Sequence, residues 1–361
     1  MTAWWVAATH GHIRARALCA WALSLTLAFT GLTVKADDKV DEALRRATRY
    51  LLEAQDPATG AVHNNIRNEN AMSSMAVLAL ASLGHQPGDP TPEGEAMRKA
   101  IAYVLRPEGQ DAQGYFGAVD GSRMYGHGIT TLMLSEMLGM GVDAKQDELI
   151  RDKCRKAIDL ILSAQKEPKT DGGRGGWRYA PDDKQSDMSV TVWQVMALRS
   201  AKNAGLDVPK EAIDDAVQYI KRLYDPEGKR GEGKPGGFGY NARGKEASTT
   251  AEGLLALQVC GEYESEEVLG ASAKLLRDGI RQGDKWFFYT TYYYAQGMYQ
   301  RGGKFADEGK RLAAELILPL QSREGWWEGV NEEKQGGKVY ATSLAVLSLA
   351  VKNHFLPIYQ R

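Results

Sequence analysis

The strongest constraint on how this chain folds is a phrase that recurs along it: an amphipathic helical run, a glycine–aromatic turn, then a helical run that is apolar nearly all round. The clearest copy is GGRGGWRYAPDDKQSDMSVTVWQVMALRSA, Gly172 to Ala201, where Val192, Val195, Met196 and Leu198 follow the three- and four-residue spacing of a helix face. Laid over one another, the apolar runs place a large apolar residue at Leu80, Met137, Leu198, Leu257, Met298 and Leu349, at intervals of 57, 61, 59, 41 and 51 residues. Seven positions before each anchor stands a small hydroxyl residue: Ser73, Thr130, Thr191, Thr250, Thr291 and Thr342. A hydroxyl there is expected to pack in the first turns and bond a nearby carbonyl. A helix apolar on all sides must be covered on its outward side, so six such pairs predict two concentric layers. The expected fold is all-α, an (α/α)6 toroid of six helix-pair repeats.

The repeats use residues 37–361 and leave no room for a second domain of similar size. Residues 1–36 read as a secretory signal peptide: Arg14 and Arg16 precede an apolar run from Ala17 to Val34, and Val34-Lys35-Ala36 supplies small residues at a cleavage site. The competing reading is an uncleaved anchor, since the run approaches the length of a bilayer span. Cys19 stands too early in the run for a lipoprotein site. The expected location is periplasmic or extracellular, with a soluble mature body that has no membrane span beyond the signal segment. Removing Arg14, Arg16 and Lys35 moves the formal charge from −1 to −4, which argues against nucleic acid as a partner. Cys154 and Cys260, both in apolar helical patterns, are either paired in an oxidising compartment or buried free thiols.

The glycine–aromatic turns followed by buried helices, with glutamines such as Gln165 and Gln321 ending the preceding helix, resemble the prenyltransferase and squalene-oxidase repeat of terpene cyclases and protein prenyltransferase β subunits. The resemblance covers 37–361. The closing VYATSLAVLSLAVKNHFLPIYQR is similar to secreted, single-toroid members of that family from planctomycete-type bacteria. It implies the toroid fold, while the family's activities are too diverse to follow from fold.

The family chemistries find poor matches in the residues. The D-x-D-D-T acid motif of class II cyclases falls in register on Asp187-Met188-Ser189-Val190-Thr191, where the two central carboxylates are replaced by Ser189 and Val190. Those cyclases also carry a second helical domain. Asp182 and Asp183 read as a solvated turn and cap. At the zinc position of prenyltransferases, Asp187 keeps the aspartate, but Ser189 and Thr290 replace Cys and His, so no metal and no cofactor are expected. Asp152-Lys153-Cys154 has the spacing but lies in an outer helix. The complement-type Cys-Gly-Glu-Gln thioester is absent, and GKRGEGK at 228–234 is a loop without a preceding strand.

Inner helices that run the same way gather their N-terminal ends at one mouth, with dipoles and free N–H groups. The rim residues expected there are Glu69 and Asn70, Tyr125 and His127, Asp187 and Ser189, Glu246 and Ser248, Phe288 and Tyr289, Lys338 and Tyr340. From these, Glu69, Tyr125, His127, Asp187, Glu246, Tyr289 and Tyr340 are the candidate ligand contacts, and His127, Asp187, Tyr289 and Tyr340 the candidate catalytic groups. His127 is the expected general acid or base, because imidazole titrates near neutral pH. Three readings follow: a binding or scaffold protein with an apolar, isoprenoid or carbohydrate ligand in its central cavity; a polysaccharide lyase or hydrolase; a cyclase or prenyltransferase with atypical residues. A filled centre favours the first, carboxylates facing across a cleft the second, and a deep apolar cavity the third. For the leader, Edman sequencing of the exported protein is expected to begin at Asp37; an intact Met1 on a membrane-bound form overturns the cleavage.

Overall fold

The computed structural model describes residues 38–64, 67–170, 172–229, 231, 234–353 and 355–360. The leader lies outside the described residues, and so does part of the 228–234 loop. Helix α1 covers 38–53, followed by α2 (Glu69–Ser82), α3 (Pro92–Leu105), α4 (Phe116–Asp120), α5 (Arg123–Glu136), α6 (Ala144–Lys166) and α7 (Met188–Asn203). Then come α8 (Lys210–Arg222), α9 (Ala247–Val259), α10 (Glu266–Asp278), α11 (Phe287–Arg301), α12 (Gly303–Ile317) and α13 (Gly337–Leu349). Residues 44–361 make one compact unit, in which α2, α5, α7, α9, α11 and α13 pack in that order and α13 closes back on α2. This is the inner ring of an α/α toroid. The amphipathic helices lie against its outside, as their sequences require: α8 buries Ala212, Ile213, Ala216, Val217, Tyr219 and Ile220, whereas α9 buries every residue from Thr249 to Val259. Among the described residues no helix is long and apolar enough to cross a membrane. Cys154 and Cys260 are free thiols.

The turns lock the two layers together. The glutamine that ends an outer helix donates its amide to the carbonyl of the turn glycine: Gln55 to Gly60 at 3.0 Å, and Gln110 to Gly114, Gln165 to Gly175 and Gln321 to Gly325, each at 2.9 Å. In three repeats the same nitrogen also reaches the next outer helix, at the Ala96, Lys153 and Ala212 carbonyls. The glycines have positive φ and press on that helix. A Cβ on Gly60, Gly114, Gly175 or Gly325 would lie 2.2 to 2.6 Å from the carbonyl oxygen of Lys99, Lys156, Asp215 or Arg46. Because Arg46 belongs to α1, the last turn fastens onto the first repeat, and the Arg46 guanidinium also bonds Gln321.

On the inner side, the ring hydroxyls differ from the carbonyl bonding expected of them. Ser73, Thr191, Thr250 and Thr342 accept the backbone N–H of Val62, Trp177, Phe238 and Trp327, the residues that follow the turns, at 3.0 to 3.1 Å. Thr291, whose repeat has a shortened turn, does bond a carbonyl, that of Phe287, at 2.7 Å. The fourth turn opens into a short antiparallel pair, β1 (Tyr224–Pro226) with β2 (Gly236–Phe238).

Aromatic side chains cross the axis and fill it, where the sequence reading placed a ligand in a central cavity. Trp193 of α7 stacks on Tyr292 of α11 at 6.0 Å, although α9 stands between those helices in the ring. The Tyr289 hydroxyl of α11 likewise crosses to the Ser189 carbonyl at 3.2 Å. Two hollows, one by Ser82, Gln296 and Tyr359 and one by Leu51, Val62 and Leu80, hold about 10 Å3 each, room for one water. The chain's own end closes the C-terminal side of the ring: the Ile358 N–H donates to Glu136, Gln300 to the Tyr359 carbonyl, and the Tyr359 and Tyr292 hydroxyls bond one another.

Gly175 and Gly205 both have positive φ, but a Cβ on Gly205 meets nothing within 4 Å. Gly205→Ala is therefore expected to cost about 1–2 kcal/mol for the left-handed backbone alone. Gly175→Ala is expected to cost roughly 1–3 kcal/mol more for overlap with the Asp215 carbonyl. Urea unfolding of the two variants checks the difference.

Candidate functional site

Four of the turns also reach back to the inner helix of the preceding repeat. The Tyr179 carbonyl takes the Met124 N–H at 3.0 Å, and the Tyr240 carbonyl takes the Met188 N–H at 2.7 Å. The Asp120 carboxylate takes the Ala71 N–H, and Glu333 takes those of Phe288 and Tyr289 at 3.1 and 3.0 Å. These orphan donors are thus satisfied by neighbours, so the mouth is not the array of free N–H groups expected from the dipoles. What the reach-back does instead is lay Arg178, Tyr179 and Tyr240 over the N-terminal ends of α5 and α7.

Asp187 is the N-cap of α7. Its Oδ1 accepts the Val190 N–H at 2.9 Å, and its backbone N–H bonds the Trp177 carbonyl. Its Oδ2 makes no hydrogen bond; Arg178 Nη1 stands 3.8 Å away, itself buried and without one. The side chain of Asp187 is fully buried, and desolvation pushes its carboxyl up to about 6 against the opposing Val190 N–H and Arg178 charge. The Arg178 guanidinium lies 4.9 Å over the Tyr179 ring and 6.0 Å from that of Tyr240, whose hydroxyls bond each other. Tyr125 stacks obliquely on Tyr179 at 6.0 Å, with its hydroxyl beside Ser189 and Asp187.

Glu252, on α9, lies beneath this group. It is 1% exposed, and burial followed by the Asp187 charge raises its carboxyl well above the ordinary range. Its field reaches Tyr289, Tyr293, Tyr125 and Tyr340, which belong to three other inner helices, so the side chain faces the axis. The sequence reading missed it. The available signal was a lone carboxylate inside an otherwise apolar run, STTAEGLLALQVC, whereas attention fell on Glu246 at the helix start.

The structure brings together Tyr125, Asp187, Tyr289 and Tyr340, with Ser189, and leaves out the other candidates. His127 is fully buried and points away from the mouth: Nε2 donates to the Ala157 carbonyl of α6 at 3.1 Å, and Nδ1 accepts the Phe116 N–H at 3.3 Å. Burial pulls its imidazole down to about 4, so it is a neutral clamp between layers and not the expected acid or base. Glu69 sits by Tyr103 of α3, and Glu246 is exposed, its carboxylate 3.5 Å from the Thr249 hydroxyl. Lys338 covers the Trp326 ring at 3.7 Å. Thr290 bonds the Lys285 carbonyl, and Asp183 closes its own turn on the Ala180 N–H.

No family model and no curated protein sequence matches the chain. Solved structures do. An inactive variant of the α-1,6-mannanase GH76A of Salegentibacter sp. HEL1_6, in complex with α-1,6-mannotriose, superposes with a TM-score of 0.61 at 10% identity, over 88% of this chain and 99% of that one. A variant of the type II terpene cyclase MstE from Scytonema, in complex with geranylgeranyl dihydroxybenzoate, gives 0.58 at 14% identity, over 90% of this chain and 100% of that one. At these identities the likeness is one of fold, the α/α toroid. Since the match spans the whole of that cyclase chain, lack of a second helical domain does not separate this chain from type II cyclases, contrary to the sequence argument.

A carboxyl raised in the folded state binds protons that the unfolded chain releases, so its stabilising contribution is present at low pH and lost as pH rises through the folded value. For Asp187 the window runs from its ordinary value of 3.8 to about 6. Asp187→Asn keeps the cap and removes the charge, so its stability relative to the parent is expected to rise between pH 4 and 6.5, by up to about 3 kcal/mol. Asp187→Ala loses the cap and is expected to fall below the asparagine variant by roughly 0.5–2 kcal/mol at every pH. Urea unfolding across this range measures both.

Proposed function

We propose that the N-terminal mouth binds a hydroxyl-rich ligand of carbohydrate type and that the protein is an exported binding member of the toroid group it resembles. The observation that carries this is the Asp187–Arg178 pair: two charged groups 3.8 Å apart, with Oδ2 and Nη1 both buried and neither in a hydrogen bond of full geometry, while the Tyr240 hydroxyl stands near the carboxylate. One ligand hydroxyl placed about 2.8 Å from each atom accepts from the guanidinium and donates to the carboxylate, which completes both. The half-buried rings of Tyr125, Tyr179, Tyr240 and Tyr340 flank that point and offer apolar faces to a sugar ring. The filled axis counts against a polyprenyl chain lying along it, and the mannanase neighbour was solved with a mannotriose.

A second reading, a hydrolase or lyase acting on such a ligand, draws on one observation: two buried acids lie close enough to interact, with Asp187 raised to about 6 and the Glu252 carboxyl raised well above its ordinary range by burial and the Asp187 charge. Titration calorimetry against a set of neutral oligosaccharides that includes α-1,6-mannotriose, with chromatography of the sugar afterwards, separates the two. The expected result is binding without cleavage, weakened roughly 10- to 100-fold in Asp187→Asn by loss of a charge-assisted bond. Tyr240→Ala is expected to weaken it as well. Absence of binding to every sugar in the set overturns the proposal.

A further inference from the structure

The inner ring has a layer two residues beyond its hydroxyls, formed by Met75, Leu132, Trp193, Glu252, Tyr293 and Leu344, each at most 1% exposed. Trp193, Glu252 and Tyr293 hold the same register position on the successive helices α7, α9 and α11. In each a buried polar atom, Trp193 Nε1, Glu252 Oε2 and Tyr293 Oη, meets no partner at full hydrogen-bonding geometry, although the Tyr289 hydroxyl stands close enough to Tyr293 Oη to act on it. The Trp193 and Tyr293 rings meet edge to face at 5.9 Å, and Glu252 acts electrostatically on Tyr293. A buried polar group with no partner costs stability, and this layer holds three, all on one half of the ring. The other half, Met75, Leu132 and Leu344, is wholly apolar.

We propose that this layer is an axial subsite that receives a hydroxymethyl-type terminus of the ligand held at the mouth, its hydroxyl toward Trp193, Glu252 and Tyr293 and its carbon toward Met75, Leu132 and Leu344. The inference rests on the reading of the mouth given above. The donors and acceptors suit a neutral group: an indole N–H, a phenol, and a carboxyl whose proton affinity burial and the Asp187 charge raise. Tyr289 lies between mouth and layer, its hydroxyl on the Ser189 carbonyl and its ring 4.8 Å from that of Tyr293. Because the axis is filled, entry requires the Tyr289 side chain to swing away from Ser189 and leave its own place to the ligand terminus.

Three variants test the subsite against the oligosaccharide of the set that binds the parent most tightly. Glu252→Leu is expected to melt at a higher temperature, because an unpaired buried acid is replaced by an apolar side chain, and yet to bind at least tenfold more weakly. Tyr293→Phe, which removes only the orphan hydroxyl, is expected to lose threefold or more. Glu252→Gln, which keeps a donor and an acceptor, is expected to stay within threefold of the parent; a merely structural carboxyl gives no such rescue pattern. If the parent binds and both Glu252→Leu and Tyr293→Phe remain within twofold of it, the axial subsite is overturned and the mouth stands. If the parent binds no sugar, both fall together.

Discussion

The structure depends on one repeated contact, the side-chain amide of a glutamine at the end of an outer helix bonded to the carbonyl of a turn glycine. That amide is one short polar group with two N–H donors. By serving the turn and the next outer helix together, as Gln165 does with Gly175 and Ala212, it fixes the angle between repeats. The glycine must then approach the neighbouring backbone closely, which no side chain permits. Four of the steps around the ring are set in this way, and the Gly325–Arg46 contact is where the ring closes.

Closure decides what the mouth looks like. Four turns are held by their own inner helices through a hydroxyl such as Thr191, and the distal parts of two of them fall on the helix before, where the Tyr179 and Tyr240 carbonyls take up N–H groups. The mouth is therefore paved by turn residues. Helix dipoles contribute little to it once their N–H groups are occupied; its polarity comes from Arg178, Asp187 and the tyrosine hydroxyls. At the opposite end the chain terminus binds Glu136 and Gln300, so a ligand has the N-terminal side to approach.

Periodicity made the fold legible in the sequence. A run apolar on every face, anchored at fixed spacing by a hydroxyl, has few places to go except the inner wall of a two-layered ring. The site was legible in part, because the same register located Asp187, Tyr289 and Tyr340. It failed at His127, which lies one helical turn from the mouth in sequence but on the face that meets α6; register gives height along a helix, and burial among outer-layer residues decides direction. It failed at Glu252 for the opposite reason. A carboxylate within an apolar run reads as an interruption until the ring shows that four other helices aim their tyrosines or Asp187 toward it. The C-terminal plug had no signal in local pattern, since its partners Glu136 and Gln300 lie in other repeats.

The buried acids weigh against a purely structural role for the ring. Glu333 and Asp187 cap helices, and Glu136 holds the C-terminal segment, so each has backbone N–H groups that offset its desolvation. Glu252 Oε2 has none. An unpaired buried polar atom costs about 1–3 kcal/mol, a sizeable share of the stability of an ordinary domain, and leucine at that position would remove the cost without changing the helix. A scaffold gains nothing from the exchange. A molecule that enters the ring, whether water or a ligand terminus, finds a partner in that carboxyl, which ties the odd residue of the axis to the tyrosine-paved opening above it.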